Sequence, residues 1–184
     1  MGNQPVGDDE LMALYRSPET KEKAFALIVD SYKEKLYWHI RRLVIIHEDA
    51  DDVLQNTFIK AWKGLANFRE ESKLYTWLYR VATNESLTHL EKIKRRRAES
   101  LTGEEEFLGN KIRSDVYFDT AKLEWKLQLA IQLLPEQQRI VFNLRYFDEM
   151  PYREMSEILN VTEGSLKASY HHAAKKIEHY LLNH

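Results

Sequence analysis

Aromatic and basic side chains interleave between Asn67 and Asn84, where Phe68, Arg69, Lys73, Tyr75, Trp77, Tyr79 and Arg80 follow one another closely. Ring faces beside cations suit single-stranded nucleic acid, because each stacked base contributes about 1–3 kcal/mol while the cations meet phosphates. Holding a base out of a duplex also needs a pocket whose contacts offset the cost of unstacking. Thr76, Arg80 and Asn84 recur every four residues and share one helical face, while Leu74, Leu78 and Val81 can face a core. Phe68, Trp77 and Tyr79 suit a core equally well, and at least one of them is expected there.

Two further groups invite a functional reading. Near the C-terminus, Lys167, His171, His172, Lys175 and Lys176 stand off an apolar stripe of Leu166, Tyr170, Ala173, Ile177 and Leu181. That stripe is one face of a helix, which leaves the basic residues available to phosphates and base edges. Asp51, Asp52, Gln55 and Asn56 form an acidic and polar patch. Read by itself, the patch is a solvated helix start, where carboxylates complement the helix dipole.

Enzyme chemistry finds no support. No nucleophile with a base partner, phosphate-cradling glycine loop or acid pair in an evident cleft appears, so neither an enzyme nor a cofactor is expected. With no cysteine in the chain, thiolate metal sites and disulfides are ruled out. His171 and His172 are adjacent and so lie on different sides of a helix, unlike the one-turn pair that a metal prefers. His39, His47, His89, His179 and His184 have no cysteine or carboxylate constellation around them in the sequence.

The elements that position these residues read as helices throughout, and the fold class is all-α. Only 6 glycines and 4 prolines occur in 184 residues, of which 43% are hydrophobic. A first helix is expected to open at Ser17-Pro18-Glu19 and run through Phe25, Ile28, Tyr32, Leu36, Ile40 and Leu43. A second starts near Glu48 and carries Ala50, Leu54, Phe58, Ala61 and Leu65 on its apolar face. Leu134-Pro135-Glu136 opens a later helix, since proline at a helix start forfeits no needed N–H. Pro151 opens a short one ending before Asn160, which tolerates the positive φ of a sharp turn. Thr162 can cap the last. This order is a helix-turn-helix with the DNA-facing helix placed last.

Charge divides the chain. Residues 60–97 carry ten Lys/Arg against four Glu, residues 98–122 three against six acidic residues, and residues 123–184 seven against eight. Ser100, Thr102, Gly103, Glu104, Glu105, Glu106, Gly109 and Asn110 give linker chemistry. Two small helical domains, 1–97 and 119–184, are therefore expected around a flexible acidic linker, 98–118. The net charge of −2 is low for an autonomous DNA binder, which normally neutralises phosphates with a basic excess. A larger partner must supply the remaining affinity. No stretch is long enough to span a membrane and the N-terminus is polar, so a cytoplasmic protein without membrane insertion is expected.

From Phe25 to about Leu181 the chain resembles the extracytoplasmic-function sigma factors of the bacterial sigma-70 family. The resemblance rests on Asp51-Asp52-Val53-Leu54-Gln55-Asn56-Thr57-Phe58 with Ala61-Trp62, on Thr76-Trp77-Leu78-Tyr79-Arg80-Val81-Ala82-Thr83-Asn84, and on Leu134-Pro135 through the helix-turn-helix. It implies a sigma domain 2-like unit followed by a sigma domain 4-like unit. It also implies that Asp51, Asp52, Gln55 and Asn56 dock on the β′ clamp helices of core RNA polymerase, which reverses the reading of that patch as a solvated helix start. The loop Asn67, Phe68, Arg69 to Lys73 would capture a flipped base of the −10 promoter element, with Thr76, Trp77, Arg80 and Asn84 against DNA at the upstream edge of the melted region. Ser165, Lys167, Ser169, His171, His172 and Lys175 would face the −35 element, and the second unit would rest on the β flap. Glu104 to Glu106 would enter space meant for RNA, and an anti-sigma factor would be an inhibitory partner.

Five departures from the family pattern bear on this. Asn56 stands where an acidic residue is commoner, and Ser156 and Asn160 replace the usual alanine and glycine of the helix-turn-helix. Ser169 and His172 stand where arginines are frequent, and neither can make the bidentate guanine contact of arginine. Recognition of −35 is therefore expected to rest more on Lys167 and His171. The alternative is an autonomous helix-turn-helix regulator, which would need a basic DNA-binding unit and a dimer face.

Overall fold

A computed structural model describes residues 7–68, 72–98 and 123–184. The expectations that concern Arg69, the linker from residue 99 and the stretch 119–122 lie outside them. Among the described residues all regular structure is helical: α1 Asp8–Arg16, α2 Lys21–Val44, α3 His47–Gly64, a 3-10 turn Leu65–Asn67, α4 Leu74–Ala98, α5 Leu123–Gln132, α6 Glu136–Tyr146, α7 Tyr152–Leu159 and α8 Glu163–Asn183.

α1 was hidden from the sequence reading by its acidic start, which suits a helix N-terminus. Its Leu11, Met12 and Tyr15 are buried, and the Tyr15 hydroxyl donates to the Trp62 carbonyl at 3.0 Å. α2 begins at Lys21 rather than at Pro18, a correction with a local cause. Ser17 to Thr20 make a turn closed by Thr20 N–H to the Ser17 carbonyl, and Thr20 Oγ1 donates to the Leu14 carbonyl at 2.7 Å. That carbonyl belongs to the last turn of α1, where no intrahelical donor remains. The apolar run Leu43 to Ile46 is the corner between α2 and α3. Ile45 adopts φ 73° there and is buried; positive φ in a β-branched residue costs on the order of 1–3 kcal/mol, which that burial offsets.

α2, α3 and α4 bury Leu36, Ile40 and Leu43 against Val53, Phe58, Leu74 and Leu78. The same core continues unbroken into Ile140, Val141, Leu144, Met150, Met155 and Ile158 of the second half. A smaller core holds Ala130, Ile131, Leu134, Phe142, Ala173 and Ile177. Phe142 stacks between Tyr146 and Tyr170, with ring centroids 5.1 and 5.6 Å away.

The helix-turn-helix forms from local chemistry. Pro135 and Pro151 stand at the N-caps of α6 and α7, one residue before the first helical position. Their missing N–H groups still cost nothing, since the first turn of a helix has no intrahelical acceptors. Asn160 takes the left-handed conformation (φ 54°, ψ 43°), and the Thr162 side chain accepts from Ser165 N–H at 3.3 Å.

Candidate nucleic-acid and polymerase interfaces

On α3, Asp51, Asp52, Gln55 and Asn56 are all exposed, while Ala50, Val53, Thr57 and Phe58 turn inward. His47 Nε2 lies 3.4 Å from Asp51. The patch therefore presents two carboxylates and two amides to solvent across adjacent turns, an arrangement suited to a protein surface bearing cations.

The aromatic-basic stretch divides between surface and core. Asn67 ends the 3-10 turn and is exposed, and Phe68 is half-buried. Trp77 is half-buried too, its ring centroid 5.4 Å from that of Phe68. Behind the indole is Gly64, where an added Cβ would lie 2.9 Å from the ring carbon Cζ2. The glycine and the phenylalanine thus set the attitude of the indole. Tyr79 is the aromatic that joins the core, at 2% exposure. A hollow of about 190 Å³ opens where Asp8, Asp9 and Met12 of α1 meet Phe68 and Lys73.

Thr76, Arg80 and Asn84 do not share one environment. Arg80 and Asn84 are exposed, but Thr76 is 2% exposed and its hydroxyl has no hydrogen-bond partner. The reason is tertiary: α4 packs against α2, α3 and α7, so four-residue spacing alone does not set exposure along it. Lys73, just before α4, donates to Glu154 of α7 at 2.9 Å, and that bond raises the ammonium above the usual lysine value.

On α8 the apolar stripe behaves as expected, with Leu166, Ala173 and Ile177 buried and Tyr170 and Leu181 partly so. Ser165, Lys167, His171, His172 and Lys175 are exposed and Ser169 is half-exposed. Lys167, His171 and Lys175 follow at four-residue intervals along one line of the helix. Lys167 Nζ lies 3.9 Å from Glu163 and 5.6 Å from the centre of the Tyr152 ring.

Folding supplies distant carboxylates to His39 and His89, while His47 meets Asp51 one turn on in the same helix. His39 Nδ1 is 3.2 Å from Asp148 Oδ2, and His89 and His47 pair with Asp49 and Asp51 at 3.4 Å. Each is a pair, and no group of three potential metal ligands occurs among the described residues. Asp148 and Glu154 were not singled out from the sequence; no periodic signal marks them, because their partners are about a hundred residues away or nearly so.

Two exposed helical surfaces, an aromatic-basic loop region and a helix-turn-helix define a promoter-reading class of protein. Residues 28–97 match the family model Sigma-70 region 2, and residues 124–177 match Sigma-70, region 4. The chain is 31% identical over 183 residues to the ECF RNA polymerase sigma factor SigW of Bacillus subtilis, covering 94% of this chain and 98% of that one. It is 33% identical over 165 residues to the RNA polymerase sigma-H factor of Pseudomonas aeruginosa, covering 85% and 86%. The fold is shared with CnrH, solved in complex with the cytosolic domain of CnrY (TM-score 0.69, 21% identity, 95% and 96% covered). It is shared also with the sigma factor RpoE of Bartonella quintana, solved with the anti-sigma factor NepR (TM-score 0.70, 22% identity, 88% and 98% covered). The chain belongs to the extracytoplasmic-function sigma factors of the sigma-70 family. It is a transcription initiation factor that binds core RNA polymerase and directs it to promoters. The family supplies specificity rather than catalysis.

Proposed function

We propose that the work is divided by residue as follows. Asp51, Asp52, Gln55 and Asn56 dock on the β′ clamp helices. Asn67, Phe68, Arg69 and Lys73 take a flipped −10 base, with the hollow beside α1 as its receptacle, and Trp77, Arg80, Asn84 and Thr76 meet DNA at the upstream edge of the melted region. Ser165, Lys167, Ser169, His171, His172 and Lys175 read the −35 duplex while the second unit rests on the β flap. The two units extend over 1–97 and 119–184, joined by 98–118. The protein has no enzymatic activity of its own and acts in the cytoplasm, where core polymerase and promoter DNA are found. An anti-sigma factor is a further partner, a reading supported by the similarity to a sigma factor solved with one.

The observation that carries this reading is the mounting of Trp77, half-exposed against Gly64 and Phe68 beside the exposed Arg80 and Asn84. A large aromatic ring held at a basic surface matches what an unpaired base stacks on. Two modest DNA contacts then suffice because both are tethered to one polymerase platform.

A holoenzyme assay separates the surfaces. Trp77→Ala is expected to lower open-complex formation by the worth of one stacked base, about 1–3 kcal/mol or roughly 5- to 150-fold, with core-polymerase affinity retained. The double variant Asp51→Lys, Asp52→Lys should lose core-polymerase affinity instead. Equal loss of both properties in Trp77→Ala would make the tryptophan a core residue. Unchanged polymerase affinity in the double variant would remove the docking assignment.

A further inference from the structure

A lysine is a poor reader of bases by itself. Its ammonium is a compact charge on a flexible four-carbon stem, without the flat fork by which arginine meets two acceptors at once. Lys167 is nonetheless the first cation of the exposed line on α8, and Ser169 and His172 further along offer no fork either. Discrimination at −35 through such a side chain needs a restraint on the ammonium before DNA arrives. Without one, the rotamer freedom of the stem is lost on binding and weakens the contact.

That restraint is built into the helix-turn-helix. Tyr152 is the first residue of α7, directly after Pro151, and its ring is half-buried against the larger core. The Arg145 guanidinium, from the last turn of α6, lies over this ring with its carbon 5.3 Å from the centre. Arg145 Nη1 also donates to the carbonyls of Met150 at 3.3 Å and Glu149 at 3.4 Å, which ties the guanidinium to the α6–α7 turn. The second cation over the same ring is Lys167, its Nζ 5.6 Å from the centre. Both distances fall within the reach of about 6 Å over which a ring face attracts a cation. Lys167 Nζ is also 3.9 Å from a carboxylate oxygen of Glu163, one turn earlier on α8. A ring on α7 and an acid on α8 thus bracket the ammonium, while the lysine side chain keeps 60% of its surface exposed, as a group that reads DNA must. Without the ring only Glu163 would remain, and exposed pairs one turn apart on a helix hold weakly. Arg145, Tyr152, Glu163 and Lys167 all lie within the stretch that matches Sigma-70, region 4, so their arrangement does not depend on how the two halves sit.

We propose that Tyr152 is a positioning residue for −35 recognition: its ring, fixed to the α6–α7 turn, holds the Lys167 ammonium in place and so lets a lysine discriminate between base pairs. Its effect is on selectivity. A loose ammonium still attracts the phosphates of any sequence, whereas a held one favours the acceptor in front of it. The inference rests on the assignment of Lys167 to the −35 element.

The test uses holoenzyme reconstituted with the full chain and measures binding to promoters randomised at −35. Lys167→Ala identifies the base pair whose preference depends on that lysine. Tyr152→Phe keeps the ring and should keep this preference at wild-type strength. Tyr152→Leu should weaken it about two- to fivefold, the worth of one exposed cation–ring contact, and should add nothing in the Lys167→Ala background. Tyr152→pentafluorophenylalanine keeps the shape of a ring but withdraws the negative charge from its face. It should weaken the preference as leucine does, and it stands in should Tyr152→Leu not fold. An unchanged preference in the leucine or the pentafluoro variant overturns the proposal. So does a loss of the same size with and without Lys167, since Tyr152 would then act on DNA or on the fold by itself. A loss in Tyr152→Phe equal to that in Tyr152→Leu would assign the effect to the hydroxyl and overturn it too. If Lys167→Ala keeps the wild-type preference at every −35 position, the assignment of Lys167 itself fails, whatever Tyr152 does.

Discussion

Gly64 carries no side chain, yet it decides how Trp77 is presented. Its backbone is helical (φ −82°, ψ −29°), so alanine there would ordinarily stabilise by about 0.4–1 kcal/mol through the unfolded state. Here the added methyl would sit 2.9 Å from the indole, with Phe68 close by, and overpacking of that kind costs about 1–3 kcal/mol. Gly64→Ala is therefore expected to lose about 1 kcal/mol net in urea denaturation and to slow open-complex formation about tenfold by misplacing the ring. Wild-type open-complex rates in that variant would show that the indole's attitude is immaterial. Thr76 makes the complementary point: a four-residue spacing that is correct for the helix does not guarantee exposure, because another helix can pack on part of that face.

At the scale of elements, the helix-turn-helix is held by groups that are near one another in sequence. Asn160 turns the chain and Thr162 takes one of the unpaired donors at the start of α8 through Ser165 N–H. Thr162→Ala should cost about 1 kcal/mol, the usual worth of such a cap. Circular dichroism during urea titration would measure it, and a midpoint equal to wild type would mean that α8 is held by packing alone. The α2–α3 corner is less transparent, since Ile45 enters a conformation that its own side chain disfavours and remains there because the site is buried. α1 shows a different limit. Its charges read as a polar tail, and only the burial of Leu11, Met12 and Tyr15 against the rest of the fold reveals a helix.

At the scale of the molecule, one continuous core and one polar cluster join the two halves. Tyr75 and Tyr79 lie near that junction, their ring centroids 4.6 Å apart. Burial first, and then the Asp148 charge, push the Tyr75 hydroxyl up from 10.0 to about 12, and the same causes raise Tyr79 further. Both values are higher in the folded state than in the unfolded one. Their contribution to stability is thus complete below pH ~10 and is lost as pH rises through the folded values. Stability of the full chain should fall from pH ~10 toward pH ~12, with Tyr75→Phe flattening part of that slope. Equal slopes in the variant and the wild type would show that Tyr75 is not a source of it.

The amino-acid sequence by itself determined which stretches after α1 become helices, where the helix-turn-helix bends and which faces of α3 and α8 are polar. Each of those follows from periodicity, proline, a cap or a turn-tolerant asparagine within a few residues. It also carried the family resemblance, through motifs whose order and spacing survive without any knowledge of packing. The tertiary structure alone decided that Tyr79 is core while Trp77 stays half-exposed, that Thr76 is covered, and that His39, Arg42 and Asp148 meet. Those outcomes depend on contacts between residues tens to more than a hundred positions apart, and no local pattern encodes which surface of one helix another will cover.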